Sequence, residues 1–239
     1  MSEKLKDSLS SSRESAARII AQTALNNKSE INILEIGSSL GLNCLALTES
    51  FSKASVVGIE PEPQAFNVSQ KLTELYNVDG LKFILGVGEN LPFPDKHFDL
   101  VICHTVIEHV NDVDLCLKEM SRVLKIGGIV HLEAPNYIWP YEPHLDIWCF
   151  PLLGKFSVKI AALFQGKYGS RFFLDHLKFV TNRNVTRGFE RNGLDVNNLN
   201  ISKLEDFIQN KNFLIKSHPI LGVLLKIMVK SNMLVKFLP

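Results

Sequence analysis

Between residues 31 and 135 the chain alternates short apolar runs with longer segments whose apolar residues recur at helical spacing. This alternation is typical of a parallel β-sheet whose strands are joined by crossover helices. The predicted strands are Ile31–Ile36, Ser55–Glu60, Leu81–Leu85, Asp99–His104 and Gly128–Glu133, and the predicted helices are Leu42–Ser52, Glu62–Tyr76 and Val113–Leu124. The pattern therefore predicts an α/β fold with a mostly parallel sheet and helices on both faces.

The segments before and after this core follow different patterns. Upstream, Arg13–Asn26 carries an apolar stripe at helical spacing, and Ser12 is a candidate N-cap, which predicts a flanking or lid helix. Downstream, Tyr137–Phe179 is rich in aromatic residues and is interrupted by three prolines, so it does not continue the alternation. We interpret it as an insertion that covers the site after the fifth strand.

The pattern resumes with a helix over Asn182–Asn192, ended by Gly193, and a strand at about Leu194–Ile201. No further strand is predicted, and His218–Pro239 is expected to form one or two basic, apolar helices. The expected organisation is a flanking helix (1–30), the core (31–136), the insertion (137–181), the end of the core (182–203) and a helical tail (204–239).

Composition and charge exclude several classes of function. The 239 residues carry a formal net charge of +1 and contain no lysine or arginine run, so nucleic acid is not expected as a partner. The polar N-terminus lacks the apolar stretch of a secretory signal, and the four cysteines form no CxxC pair. These features favour a cytoplasmic protein with reduced thiols.

One long apolar stretch, from Ile220 to Leu238, raises the question of a membrane span. It contains Lys226, Lys230 and Lys236, and each mid-span lysine costs about 2.5–3.5 kcal/mol on insertion, so a transmembrane helix is not expected. Apolar helices with spaced lysines also suit the surface of a membrane, which leaves a membrane-peripheral tail open. A docked C-terminal helix or a dimer contact is the alternative.

The run ILEIGSSLG, from Ile33 to Gly41, places glycines at a turn between a strand and a helix. Gly37 and Gly41 allow the backbone to turn sharply and to approach a ligand closely. A dinucleotide fingerprint would need glycine where the chain has Ser39 and Leu42, so NAD binding is disfavoured. Glu60 ends the second predicted strand, where a carboxylate can accept hydrogen bonds from both hydroxyls of a ribose. Taken alone, these features leave an adenosine-containing ligand and a structural turn equally open.

A third motif is the run GVGENLPFPDKHFDLVICHTVIEHV at Gly86–Val110, followed by RVLKIGG at Arg122–Gly128. With these motifs in order, the sequence resembles the class I S-adenosylmethionine (SAM)-dependent methyltransferases, in the subgroup similar to ubiquinone- and menaquinone-biosynthesis methyltransferases. The resemblance covers about Ile31–Asn136, with a weaker match over His176–Val196. It implies a Rossmann-like, doubly wound fold, SAM as cofactor and methyl transfer as the reaction.

The resemblance also implies which residues contact SAM. The methionine portion would be held by Glu35, Gly37, Ser38 and Gly41, the ribose by Glu60, the adenine side by Gly88 and Glu89, and the sulfonium region by His104. Two positions depart from the family pattern. Ser39 replaces the middle glycine of the turn, and Val87 stands where relatives often have an aspartate, a polar contact worth about 0.5–1.5 kcal/mol. These departures motivate the alternative of a non-catalytic SAM-binding regulatory or partner subunit.

The acceptor side of the site is less constrained. A hydroxyl acceptor would need a general base, and the candidates are His109 in VIEHV and His144, which lies between Glu142 and Asp146 in the insertion. A structural role for His109 and an ordinary loop position for His144 are the alternatives. No cluster has metal-ligand spacing, so no metal is expected. The aromatic insertion favours a small-molecule, glycan or lipid-linked acceptor, with O-methylation as the expected reaction; the oligomeric state is not indicated.

Overall fold

The structure is a computed structural model that describes residues 3–23, 25, 28, 30–51, 53–135, 141–142, 147–148, 154–166, 176–197, 199 and 237–238. The helices are α1 (Glu3–Thr23), α2 (Leu42–Ser50), α3 (Pro63–Tyr76), α4 (Val113–Val123), α5 (Gly154–Phe164) and α6 (Asn182–Arg191). The strands are β1 (Ile31–Ile36), β2 (Ala54–Glu60), β3 (Leu81–Leu85), β4 (Phe98–His104), β5 (Leu124–Glu133), β6 (Tyr141–Glu142), β7 (Ile147–Trp148), β8 (Asp195–Val196) and β9 (Phe237–Leu238).

The central sheet has five strands in the order β3-β2-β1-β4-β5, and every pair within it is parallel. This confirms the predicted fold. β1 and β3 have the predicted bounds, because both are short runs rich in isoleucine and leucine between turn residues. β5 begins at Leu124 rather than Gly128, since Leu124 pairs with Phe98 across a register shift in β4.

Helices cover both faces of the sheet because successive strand residues point to opposite sides. On one side, strand residues such as Ile33 and Leu100 pack in a buried cluster with residues of α1, α2 and α3. On the other side, Leu34 and Val101 pack in a second cluster with residues of α4 and α6. The sheet is thus sandwiched between two helical layers, as the doubly wound arrangement requires.

The flanking helix α1 is longer than predicted. It begins at Glu3, so Ser12, predicted as the N-cap, lies inside the helix, and the prediction of a start at Arg13 was wrong. Leu9, Ala16 and Ile19 are all buried and continue one helical face. The serine-rich run before residue 13 concealed this face, because serine is common in loops and has only a modest helix propensity.

The tail prediction also needs a correction at its end. Phe237–Leu238 form β9, which pairs antiparallel with Asp195–Val196, where no further strand and only helix were predicted. A two-residue strand carries no readable periodicity within a segment whose apolar residues suit a helix equally well. Residues 200–236, including most of the basic apolar tail, lie outside the described residues.

The insertion after β5 does not join the parallel sheet. β6 and β7 form a short antiparallel pair, and α5 packs through Val158 and Ala162 against Ile147 and Leu177. The amide of Lys178 donates a hydrogen bond of 2.6 Å to the carbonyl of Glu108, which ties this small core to the loop after β4. No helix in the described part of the chain has the length and apolar character that a membrane span requires.

Candidate functional site

The sheet order creates a crevice between β1 and β4. From β1 the chain proceeds outward to β2 and β3, and from β4 it proceeds in the opposite direction to β5. Ligands of open α/β sheets bind at such a switch point, outside the carboxyl ends of the strands. The glycine turn after β1 and the loop after β4 both lie at this edge.

The turn after β1 is held in a conformation that few residues tolerate. Gly37 has φ +71° and Gly41 has φ +80°, and a Cβ would overlap Val106 at the first position and Phe83 at the second. Ser39 has φ +49°, so a serine here adopts the left-handed conformation that glycine adopts at lower cost. Gly41 immediately precedes α2 and gives it no side-chain cap, so no side chain at this position occupies the first amides of the helix.

Glu60, the predicted ribose ligand, is buried and braces this turn. Its Oε2 accepts a hydrogen bond of 2.7 Å from the amide of Ser39, and its Oε1 accepts one of 3.0 Å from the amide of Glu62. The bond from Ser39 offsets part of the backbone strain at that residue. Each carboxylate oxygen keeps a second lone pair, so the same side chain can still accept from two ribose hydroxyls.

Glu35 is buried below the turn and is bonded to the first turn of α2. Asn43 Nδ2 donates to Oε1 at 2.6 Å, and Cys44 Sγ donates to Oε2 at 2.8 Å. Burial raises the pKa of Glu35 to about 6, although these two hydrogen bonds and one from the backbone amide of Cys44 oppose this rise. Among the described residues, Ser38 Oγ and Asn43 Oδ1 are buried beside it without a hydrogen-bond partner. Two buried polar atoms at the glycine turn and the start of α2 thus have unused hydrogen-bonding capacity.

On the adenine side, the structure gives the two predicted residues different surroundings. Gly88 is packed against the protein, since a Cβ there would lie 2.8 Å from Cys116 Sγ. The carboxylate of Glu89 accepts from the amides of Asn111 (2.6 Å) and Asp112 (3.4 Å), and so orders the loop after β4. Val87 is exposed, as are Leu40 and Leu85 at the same edge of the sheet. These apolar side chains suit the faces of a planar base.

His104 ends β4 and contacts a second histidine that the sequence did not associate with it. Its Nε2 lies 2.7 Å from Nδ1 of His131, and His131 Nε2 lies 2.8 Å from Oε1 of Gln22 in α1. The sheet register also places His104 opposite Glu133, and one ligand atom each of His104, His131 and Glu133 lie within 4.8 Å of one another. The three residues are too far apart in sequence to be recognised as a group. The available signal was that His131 and Glu133 are two residues apart on one strand and so point to the same face.

The two predicted base candidates have different positions. His109 is exposed in the loop after β4, and its amide donates to the carbonyl of Val106 at 2.7 Å. His144 lies outside the described residues, as do several insertion aromatics. The insertion aromatics Phe156 and Phe164 lie on α5 within the described residues, and they are 66% and 84% exposed.

Comparison with known proteins shows what part of the chain is similar to a known family. Residues 34–132 match the family described as "Methyltransferase domain". The uncharacterized methyltransferase YcgJ of Bacillus subtilis is 29% identical over 119 residues, covering 50% of this chain and 46% of the relative. Its crystal structure has a TM-score of 0.58 at 23% identity, covering 77% of this chain and 69% of that chain. That likeness establishes the fold.

Two further relatives carry names that state a reaction. A fatty-acid O-methyltransferase of Mycolicibacterium smegmatis is 32% identical over 110 residues, covering 45% of this chain and 39% of the relative. A ubiquinone/menaquinone biosynthesis C-methyltransferase, UbiE of Laribacter hongkongensis, is 41% identical over 82 residues, covering 33% of this chain and 34% of the relative. This chain spans less than half the length of each of these curated relatives.

Proposed function

We propose that the protein methylates an acceptor with SAM, since residues 34–132 match the methyltransferase domain family and the sheet has the fold of class I SAM-dependent methyltransferases. The proposed acceptor is an apolar or lipid-linked small molecule with a hydroxyl or carboxyl oxygen. The observation that supports the cofactor best is the glycine turn at the β1–β4 crevice, with its uncapped helix and two unpartnered polar atoms.

The groups at this turn fit the polar parts of SAM. The buried Glu35 carboxyl, Ser38 Oγ and Asn43 Oδ1 suit a ligand ammonium group, and the first amides of α2 suit its carboxylate. Glu60 keeps acceptor capacity for ribose hydroxyls, and the exposed Val87 offers the base an apolar contact where relatives have a polar one. When bound, SAM supplies a methyl group already activated by a sulfonium, so the protein mainly has to orient the acceptor and exclude water.

The exposed face of α5 supports an apolar acceptor. Phe156, Ile160, Leu163 and Phe164 share this face and are all exposed, although the opposite face of the helix is already buried in the insertion core. A helix that is apolar on both faces normally has both of them covered. Because Lys178 ties the same core to the loop after β4, this face lies on an element joined to the site. The fatty-acid O-methyltransferase among the relatives is consistent with such an acceptor and with O-methylation.

Calorimetric titration with SAM and with S-adenosylhomocysteine, using NAD as a negative control, tests the cofactor. We expect dissociation constants on the order of micromolar for both sulfur ligands and no binding of NAD. Glu60→Gln should weaken SAM at least tenfold, because one carboxylate oxygen becomes an NH2 group that can accept neither from a backbone amide nor from a ribose hydroxyl. Glu74→Gln on the exposed face of α3 is the matched control. Absence of SAM binding to the wild-type protein would overturn the proposal.

Turnover with extracted acceptors tests the reaction. Formation of S-adenosylhomocysteine should depend on the lipid fraction of an extract, and Phe156→Ser with Phe164→Ser should lower that rate without changing SAM affinity. Leu75→Ser, which removes an exposed apolar side chain from α3, serves as the control. SAM binding without turnover in any fraction would identify a non-catalytic SAM-binding subunit instead.

A further inference from the structure

A cavity of about 350 Å³ lies between the start of α4 and the exposed side of α6. Its volume falls within the range of about 300–1,000 Å³ that is usual for small-molecule sites. None of its lining residues belongs to the glycine turn or to the residues predicted to contact SAM. The lining includes Val113 and Asp114 of α4 and three arginines of α6, namely Arg183, Arg187 and Arg191.

The three arginines lie on one side of α6. They are spaced four residues apart, which on a helix of 3.6 residues per turn places them in one row about 12 Å long. All three are exposed. The opposite side of the helix is held in the protein core through Val185 and Phe189, which are buried. α6 therefore presents three guanidinium groups along one cavity.

These guanidinium groups have no acidic partner in the described part of the chain. None of them takes part in an ion pair there, whereas Arg122 pairs with both Glu119 and Asp95. Among the described residues that line the cavity, Asp114 is the one carboxylate, and it forms no ion pair with any of the three arginines. The local net charge is therefore +2, although the whole chain carries only +1. A cavity with this charge attracts an anion.

The charge and the hydrogen-bond donors of this cavity suit a phosphate monoester. Each guanidinium offers five N–H donors in a planar fork that matches two oxygens of a phosphate. A phosphate monoester carries a charge of about −1.5 to −2 at pH 7 and so neutralises the local charge, whereas a carboxylate brings a single negative charge. Val113 is the first residue of α4, so the positive end of that helix dipole adds to the attraction.

We propose that this cavity binds a phosphate monoester group, held by Arg183, Arg187 and Arg191, at a site separate from the β1–β4 crevice. The site is additional to the proposed SAM site and does not depend on it. Asp114 weakens the binding, because its carboxylate repels the ligand from the wall of the same cavity. A small phosphate ester and the headgroup of phosphatidic acid present the same group, and the two are distinguished by the assays below.

Calorimetric titration with glycerol 3-phosphate tests the site with a free ligand, and glycerol is the uncharged control. We expect Arg187→Gln to weaken binding at least tenfold, because a charge-assisted, bidentate contact is lost. Arg187→Lys keeps the charge without the fork and should weaken binding about threefold. Lys71→Gln removes a positive charge from an exposed position on α3 and should leave the affinity unchanged. Glutamine and lysine preserve the helix because their helix propensities are close to that of arginine.

Asp114→Asn provides a variant that should gain binding rather than lose it. Removing the like charge from the cavity wall should strengthen the binding of glycerol 3-phosphate about threefold. Because a misfolded protein cannot bind more tightly at this site, the gain separates an effect on the cavity from an effect on the fold. An unchanged or weaker affinity in Asp114→Asn would contradict the placement of the ligand in this cavity.

Sedimentation with vesicles tests the lipid source of the same group. One set of vesicles contains phosphatidylcholine and phosphatidic acid in a four-to-one ratio, and the other contains phosphatidylcholine alone. If the headgroup is the ligand, the protein should pellet with the first set only, and Arg187→Gln but not Lys71→Gln should abolish the pelleting. Binding of glycerol 3-phosphate without pelleting would identify a free phosphate ester as the source.

Three outcomes would overturn the proposal. The first is that the wild-type protein binds neither glycerol 3-phosphate nor the vesicles with phosphatidic acid. The second is that Arg187→Gln binds both probes as well as the wild type does. The third is that Lys71→Gln loses as much affinity as Arg187→Gln, because net charge rather than the cavity would then attract the anion.

Discussion

Replacing Glu35 by glutamine tests how far the proposed cofactor site lowers the stability of the fold. Burial raises the pKa of this carboxyl from 4.5 to about 6, so its ionised form is less favourable in the folded chain than in the unfolded one. At about 1.4 kcal/mol per pKa unit, the ionised side chain lowers the free energy of unfolding by about 2 kcal/mol. Glutamine has the same shape and no charge, and Asn43 can turn its unpartnered Oδ1 toward the new amide.

The pH dependence gives the sign of the effect. Below pH 4.5 the carboxyl is protonated in both states and the penalty is absent; it develops between pH 4.5 and about 6 and stays constant above. We therefore expect the free energy of unfolding of Glu35→Gln, relative to wild type, to rise by about 2 kcal/mol from pH 4 to pH 8. Glu74→Gln should show no such rise.

Urea denaturation of the ligand-free protein at both pH values measures this difference. The same glutamine variant should bind SAM at least tenfold more weakly, because a ligand ammonium would lose its carboxylate partner. A relative stability that is equal at pH 4 and pH 8 would refute the account of Glu35 as a buried, strained charge. Stronger folding combined with weaker binding would show that the charge serves the ligand rather than the fold.

Three further substitutions test the framework around the site. Gly37→Ala should lower the free energy of unfolding, measured by thermal denaturation, by about 2 kcal/mol or more, because the new Cβ overlaps Val106. Gly166→Ala is the control: this glycine has φ +73° but open space around it, so the same measurement should show a loss of only about 1 kcal/mol. Arg122→Lys should cost about 2 kcal/mol in urea, since Arg122 bonds two carboxylates and two backbone carbonyls that lysine cannot all reach. Burial opposes ionisation of Asp99, but hydrogen bonds from Lys125 and Lys28 lower its pKa overall. The free energy of unfolding of the wild type should therefore fall as the pH drops below about 4. Urea denaturation of Asp99→Asn should show a smaller fall over the same pH range.

The elements of the core were predictable because their signals are local. β1 and β3 coincide with short runs rich in isoleucine and leucine. The end of α6 before Gly193 follows from the left-handed φ of +79° that glycine accepts readily. The first half of α1 was not predictable in the same way. Its buried face is carried by Leu9 among serines, and only packing against the sheet reveals it.

In the candidate site, too, local features were predictable and contacts between distant residues were not. The glycine turn was found because it is a contiguous motif, but the partners of its acidic neighbours are not contiguous with them. Glu60 bonds Ser39 across 21 residues and Glu89 bonds Asn111 across 22, and His131 reaches Gln22 across 109. Sequence spacing identifies such residues as chemically capable, whereas the sheet register and the helix packing decide what they contact.

The adjacency of β1 and β4 also governs how the chain acquires its crevice during synthesis. Ile33 pairs with Leu100, 67 residues later, so β1, β2 and β3 emerge first and leave one edge of β1 unpaired until β4 is complete. An unpaired apolar edge is a template for association with other chains. The crevice is therefore among the last features to form, and a ligand that requires both of its walls distinguishes finished molecules from nascent ones.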